Sequence, residues 1–232
     1  MSEDSLRRAI DQLYDAFSKY PRPLTYRACG CCSSGRVLEG ERWNGTNRPV
    51  VEVDSPGAEL PVRMISPSAL ADIAEYVPLT AGTIELFKHY LPRLLEIVIT
   101  DGFPNDWPDL PVQLSRLAWG NGERAAAWWD WPTAERTAVQ QFLDALWAER
   151  RRGDLVSADE TLSGIAMAVP NLQPFLESWN RDPNEDAIAT LHAFRAAERS
   201  NADEPWESVW WDGSDEPVSS NHVRLLAWLN EP

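Results

Sequence analysis

The sequence predicts an all-α fold, either an irregular multi-helix bundle or a short helical array, and three observations carry that prediction. Apolar residues recur at three-and-four spacing in one segment after another between Leu6 and Leu229. Capping residues, prolines and glycines punctuate those segments at short intervals. No stretch alternates strongly enough to build a large sheet, and only a small hairpin is expected, near residues 36–53. The 232 residues read as a single helical domain, 1–232, with a loop insertion at 33–61.

The elements follow in order. Ser2 caps a first helix with Leu6, Ile10, Leu13, Tyr14 and Phe17 on one face, which Pro21 and Pro23 stop. Arg22 to Cys32 reads as extended or irregular chain. Val37-Leu38 and Val50 to Val53 flank the turn-forming Asn44-Gly45-Thr46-Asn47, which is the hairpin signal. Ser66-Pro67 pairs a cap with a first-turn proline and opens a helix buried through Leu70, Ile73, Tyr76 and Val77. Leu110 to Trp119 forms a short helix with Leu114, Leu117 and Ala118 inward. A long helix starts after Pro132, carries Val139, Phe142, Leu143, Leu146 and Trp147, and runs to about Arg152. Ser157-Ala158-Asp159-Glu160 and Asp182-Pro183-Asn184-Glu185 both match the capping-box pattern. The first precedes Leu162, Ile165 and Val169, the second Ile188, Leu191 and Phe194. Leu172, Phe175, Leu176 and Trp179 lie between them, and a final helix holds Val223, Leu226 and Leu229.

The most pointed stretch is Thr83 to Thr100. Ile84, Phe87, Leu91, Leu94 and Val98 share one helix face with Leu95 beside them, and Pro92 interrupts the backbone hydrogen bonding midway. Glu85, His89, Arg93 and Glu96 gather on the opposite face, a compact charged patch with one histidine.

Asp and Glu outnumber Lys and Arg by 36 to 21, a formal charge of -15. That balance argues against nucleic acid, whose phosphates need clustered Lys and Arg, and against anionic lipid. It suits a basic protein partner. The polar start of the chain lacks a signal-peptide pattern and no apolar run is long enough for a bilayer, so the expected location is cytoplasmic.

Cys29-Gly30-Cys31-Cys32, then Phe87-Lys88-His89-Tyr90-Leu91-Pro92-Arg93-Leu94-Leu95-Glu96, then Trp131-Pro132-Thr133-Ala134-Glu135, resemble a group of uncharacterised bacterial proteins. Those proteins pair a short cysteine cluster with such a decapeptide helix and a later Trp-Pro-x-x-Glu helix start. The resemblance covers mainly Cys29 to Trp147. It implies a bacterial, cytoplasmic, helical protein and brings no established activity.

Cys29 and Cys32 have the spacing at which two thiolates reach one tetrahedral zinc, and His89 is the third ligand nominated for it. Zinc is the one cofactor these residues suit; inert or redox thiols are the competing readings. His89 between carboxylates also matches an acid–base histidine, against a plain hydrogen-bonded network. No phosphate loop, dinucleotide fingerprint, nucleophile elbow or zincin helix accompanies it, so no catalytic residue is nominated. Of the twelve tryptophans, Trp147, Trp179 and Trp228 fit helical stripes and belong to the core. Trp128, Trp129, Trp131, Trp206, Trp210 and Trp211 fall in loops or helix starts, where they either seal loops or form a binding surface. Asp203, Glu204, Glu207, Asp212, Asp215 and Glu216 surround the last three.

The functional expectation is a non-enzymatic protein that binds a basic protein through an acidic, tryptophan-bearing surface, with Trp206, Trp210, Trp211, Glu85, His89, Arg93 and Glu96 as binding residues. An immunity or antitoxin-type role is its concrete form, by analogy with small acidic proteins that neutralise basic toxins. A zinc-stabilised helical domain built on Cys29, Cys32 and His89 is the alternative, and an enzyme using His89 the third reading.

Overall fold

The computed structural model describes residues 3–31, 33–43, 47–57, 59–77, 81–106, 108–118, 127–201 and 220–229. The chain divides into two compact units, one of Ile10–Asp109 with Trp119–Ala138, the other of Met1–Ala9, Leu110–Ala118 and Val139–Pro232. Among the described residues, no helix is long and apolar enough to cross a membrane.

The first unit takes α1 (Glu3–Phe17) from Ile10 onward, then β1 (Thr25–Cys29), β2 (Arg36–Arg42), β3 (Pro49–Asp54), α2 (Pro67–Tyr76) and α3 (Ile84–Ile99). It also holds the 3-10 turn Trp128–Asp130 and the opening of α5 (Thr133–Arg150). The strands form one antiparallel sheet in the order β1–β3–β2, which corrects the all-α expectation to a mostly helical fold with a small sheet. The hairpin near 36–53 is present: Arg36 faces Glu52 and Leu38 faces Val50, with an irregular register between Leu38 and Arg42. What the pattern missed is β1, which lays Tyr26 opposite Val53 and Ala28 opposite Val51. Five residues with two adjacent buried positions at one end give no clean alternation, and β2 is mostly exposed, so neither strand has a strong period-two signal. β3 is central and contributes the buried Val50 and Val51.

The cap predicted for α2 holds, and α3 has one that was not predicted. Ser66 accepts a hydrogen bond from the Ala69 N–H, and Thr83 Oγ1 accepts one from the Leu86 N–H at 3.3 Å. A bridge between Ala28 and Ala81, with Gly82 N–H donating to the Arg27 carbonyl at 2.7 Å, ties the start of α3 to β1. The predicted stripe of α3 needs correcting. Phe87, Leu91, Leu94 and Leu95 are buried as expected, but so are Leu86, Lys88, Tyr90, Pro92 and Ile97, while Ile84 and Val98 are only partly covered. α3 is buried over much more of its circumference than a surface helix would be.

The second unit contains α4 (Leu110–Ser115), the body of α5, α6 (Leu155–Ala168), α7 (Gln173–Asn180), α8 (Glu185–Asn201) and α9 (Ser220–Leu229). Both caps lie at residues other than the expected ones. Asp154, not Ser157, caps α6, accepting from the Ser157 N–H at 2.9 Å. At α8, Asn184 Oδ1 accepts from the Ala187 N–H at 3.1 Å, which leaves Asp182 to accept Arg151 and Arg152. Ser163 and Gly164 lie on the buried side of α6. A Cβ at Gly164 would stand 2.8 Å from Leu114 Cδ1 and 3.0 Å from Pro111 Cα, so glycine is what lets α4 and α6 approach. Trp147, Trp179 and Trp228 are fully buried, as expected of core. Trp147 meets Trp179 edge-on at 4.9 Å, and Trp228 stacks on Trp179 at 6.3 Å. Asn221 donates to the Ala166 and Val169 carbonyls and accepts from Leu172 N–H, closing the end of α6 against the start of α9.

Candidate functional site

The strongest polar constellation in the first unit centres on Glu135. Its carboxylate is wholly buried, at 0% side-chain exposure, in the first turn of α5. Oε2 takes the Lys88 ammonium at 2.8 Å. Oε1 takes the Tyr20 hydroxyl at 2.7 Å and the Lys19 ammonium at 2.6 Å. Lys88 Nζ also stands 4.4 Å from the centroid of the Trp131 ring and 5.2 Å from that of Tyr20, so its charge is covered by two aromatic faces. Burial pushes the Glu135 carboxyl upward, but the three donors outweigh it and hold the group below the ordinary carboxylate range. Glu135 therefore stays ionised at neutral pH and has no proton to give. Burial, reinforced by the bond to Glu135, pushes the Tyr20 hydroxyl well above its usual value, so it stays a donor.

Sequence reading did not nominate Lys88, Glu135 or Tyr20. A usable signal existed: Ile84, Lys88, Leu91 and Leu95 are spaced as one helix face, so Lys88 sits in apolar company. A cation in such a stripe requires a buried anion. The segments quoted for the bacterial resemblance supply it, since Lys88 meets Glu135 while Phe87 and Phe17 meet the Trp131 ring edge-on.

The nominated face Glu85, His89, Arg93 and Glu96 separates into different environments. Glu85 is exposed. Glu96 accepts Arg93 at 2.8 Å, Arg63 at 3.0 Å and the Tyr14 hydroxyl at 2.7 Å, while Arg93 Nε donates to the Ile65 carbonyl. Arg63 also pairs with Asp11 and lies over the Tyr14 ring. Both charged groups thus tie α3 to α1 and to the chain before α2. His89 joins neither carboxylate. Its Nδ1 lies 2.7 Å from the Tyr20 carbonyl, which can only accept, so Nδ1 carries the proton and Nε2 is a bare acceptor. Nε2 is buried and has no hydrogen-bond partner among the described residues. Burial lowers the His89 pKa below the ordinary imidazole value. An arrangement with Glu96 saturated by three donors and an anchored neutral histidine is suited to fixing helix positions. We expect Glu96→Ala to lower stability by about 1–3 kcal/mol, because it removes the acceptor shared by Arg93, Arg63 and the Tyr14 hydroxyl; urea unfolding against wild type measures it, and an unchanged midpoint would refute this role.

At the end of β1, Cys29 Sγ lies 2.7 Å from Cys31 Sγ, and Arg48 Nη1 donates to Cys31 Sγ at 3.1 Å. Burial raises the Cys29 thiol, but the bond to Cys31 and the Arg48 charge outweigh it and the net shift is downward. Among the described residues, no three His, Cys, Asp or Glu side chains are grouped so as to hold a metal ion. Cys32, the second nominated zinc ligand, lies outside the described residues, as do Trp206, Trp210 and Trp211. Trp128 and Trp131 are buried and Trp129 is partly covered, which is the loop-sealing role. A shallow cleft of about 470 Å³ lies along Ser34–Arg36 and Glu52–Asp54, with the Arg36–Glu52 ion pair in its wall and no nominated residue in it.

Comparison with protein-family models, with curated proteins and with solved structures finds no match for this chain.

Proposed function

We propose that this protein acts by binding a basic protein in the bacterial cytoplasm, through an acidic surface whose contact centre is the segment Asp203–Glu216. The observation that carries this reading is the composition of that segment. Trp206, Trp210 and Trp211 stand among Asp203, Glu204, Glu207, Asp212, Asp215 and Glu216, with no Lys or Arg between them. Tryptophan is enriched at binding hot spots, and surrounding carboxylates steer and orient a cationic partner. The net charge of -15 extends the same field over the chain, and the exposed Glu85 adds to it. The same charge disfavours nucleic acid and anionic membranes as partners. Neutralisation of a basic toxin, as an immunity or antitoxin protein does, is the specific form we favour, on analogy of size and charge.

The test uses the full chain as immobilised bait in an extract of its source cells, beside a Trp206→Ala/Trp210→Ala/Trp211→Ala variant. The expected result is a partner of basic composition, retained at low salt, eluted by raising salt, and held at least about tenfold more weakly by the variant. No retained partner at low salt, or equal retention by the variant, overturns the reading.

A further inference from the structure

The end of β1 assembles a second kind of chemistry, independent of the binding reading. Cys29 and Cys31 are both thiols and their sulfurs are in contact at 2.7 Å across Gly30. They differ in access. Cys29 has 0% exposure and belongs to a small buried cluster with Trp43 and Val50, against which Leu38 packs. Cys31 is exposed and receives the Arg48 guanidinium. The turn holding them is fastened at both sides, with Gly30 N–H donating to the Pro49 carbonyl at 2.9 Å and Ser33 N–H to the Cys29 carbonyl at 3.1 Å. A Cβ at residue 30 would stand 3.0 Å from Pro49 Cγ and 3.1 Å from Val51 Cγ1, so a glycine between the cysteines lets the turn press against β3.

We propose that Cys29 and Cys31 form a reversible disulfide by exchange with a low-molecular-weight disulfide, Cys31 being the attacking sulfur and Cys29 the resolving one. Cys31, exposed and in contact with the Arg48 guanidinium, attacks as its thiolate one sulfur of the small disulfide. A mixed disulfide forms on Cys31 and one small thiolate leaves, taking up a proton. The Cys29 thiol then loses its proton and attacks Cys31 Sγ, forming the Cys29–Cys31 bond and expelling the second small thiolate. Two protein thiols are oxidised by two electrons and one small disulfide is reduced to two thiols. An exposed attacker beside a cation and a buried partner already in contact divide these roles. In a reducing cytoplasm such a bond is transient, which suits a responsive site more than a structural staple.

The experiment uses the full chain, as wild type and as Cys32→Ser, Cys29→Ser, Cys31→Ser and Arg48→Ala, with glutathione disulfide as the probe at neutral pH. Each is quenched with iodoacetamide and its intact mass and tryptic Ala28–Arg36 peptide are measured. We expect Cys32→Ser to lose both alkylatable thiols, to carry an internal disulfide in that peptide, and to recover both on reduction. Cys29→Ser should stop at a glutathione adduct on Cys31, and Cys31→Ser should react about tenfold more slowly or less, because Cys29 is buried. Arg48→Ala should slow adduct formation about tenfold with the final disulfide unchanged. Retention of both alkylatable thiols in Cys32→Ser overturns the proposal, as does a wild-type disulfide that uses Cys32. Circular dichroism of each variant identifies any that has unfolded, and the wild-type peptide map decides the pairing without any variant.

Discussion

Replacing Glu135 by alanine is expected to lower the unfolding free energy by about 3–5 kcal/mol, the usual consequence of removing one partner from a buried ion pair. Lys88 would remain covered, its side chain only 8% exposed, with no anion and with two aromatic rings above it. The Tyr20 hydroxyl and Lys19 would lose their acceptor as well. The pair itself need not stabilise the fold relative to an apolar replacement, since desolvating both ions offsets their attraction. The double variant Glu135→Leu/Lys88→Met should therefore recover most of the loss. Urea titrations of the wild type, Glu135→Ala and the double variant measure this, and a loss below about 1 kcal/mol in Glu135→Ala would show that the cluster is not desolvated as described.

The same cluster sets an acid response. The folded Glu135 carboxyl is held below its ordinary range, so on acidification the unfolded chain takes up that proton first. Its contribution is complete above the unfolded carboxylate pKa and is lost as pH falls through the folded value. His89 acts in the same direction but earlier. Burial keeps the folded imidazole neutral below its ordinary pKa, so the unfolded state protonates first and stability begins to fall once pH drops beneath the ordinary imidazole value. A stability profile across this range should show both limbs, and His89→Gln should flatten the upper one alone.

Trp179→Ala should cost about 4–5 kcal/mol, at the upper end for a buried large-to-small change. Trp179 has 0% exposure and joins three other aromatic rings, Trp147 at 4.9 Å, Phe194 at 5.3 Å and Trp228 at 6.3 Å. Its indole N–H donates to the Ala187 carbonyl at 2.9 Å, so removal leaves a cavity and deletes a hydrogen bond between α7 and α8. Trp179→Phe keeps much of the ring contact and loses the donor, and should cost about half as much. Near-ultraviolet circular dichroism with urea unfolding checks both, and equal stabilities for the two variants would contradict the packing argument.

The amino-acid pattern by itself determined the helical class, the acidic charge, the cap at Ser66, the 36–53 hairpin and the tryptophan core of Trp147, Trp179 and Trp228. Each is local or periodic: a cap satisfies a donor three residues away, and a stripe repeats every turn. Tertiary structure alone decided the rest. β1 gains its status from pairing with β3, twenty or more residues away, and its own alternation is weak. Lys88 and Glu135 are 47 positions apart, and no spacing rule reaches across that gap. His89 looked like the centre of a charged face, yet it bonds a backbone carbonyl, which any residue could supply and no side-chain motif announces. Cys29 and Cys31 were legible as neighbours, but their unequal exposure and the Arg48 beside them came only from the fold of β1 against β3. Periodicity reports which side of an element is apolar; which buried polar groups find each other depends on distances between elements, set by packing.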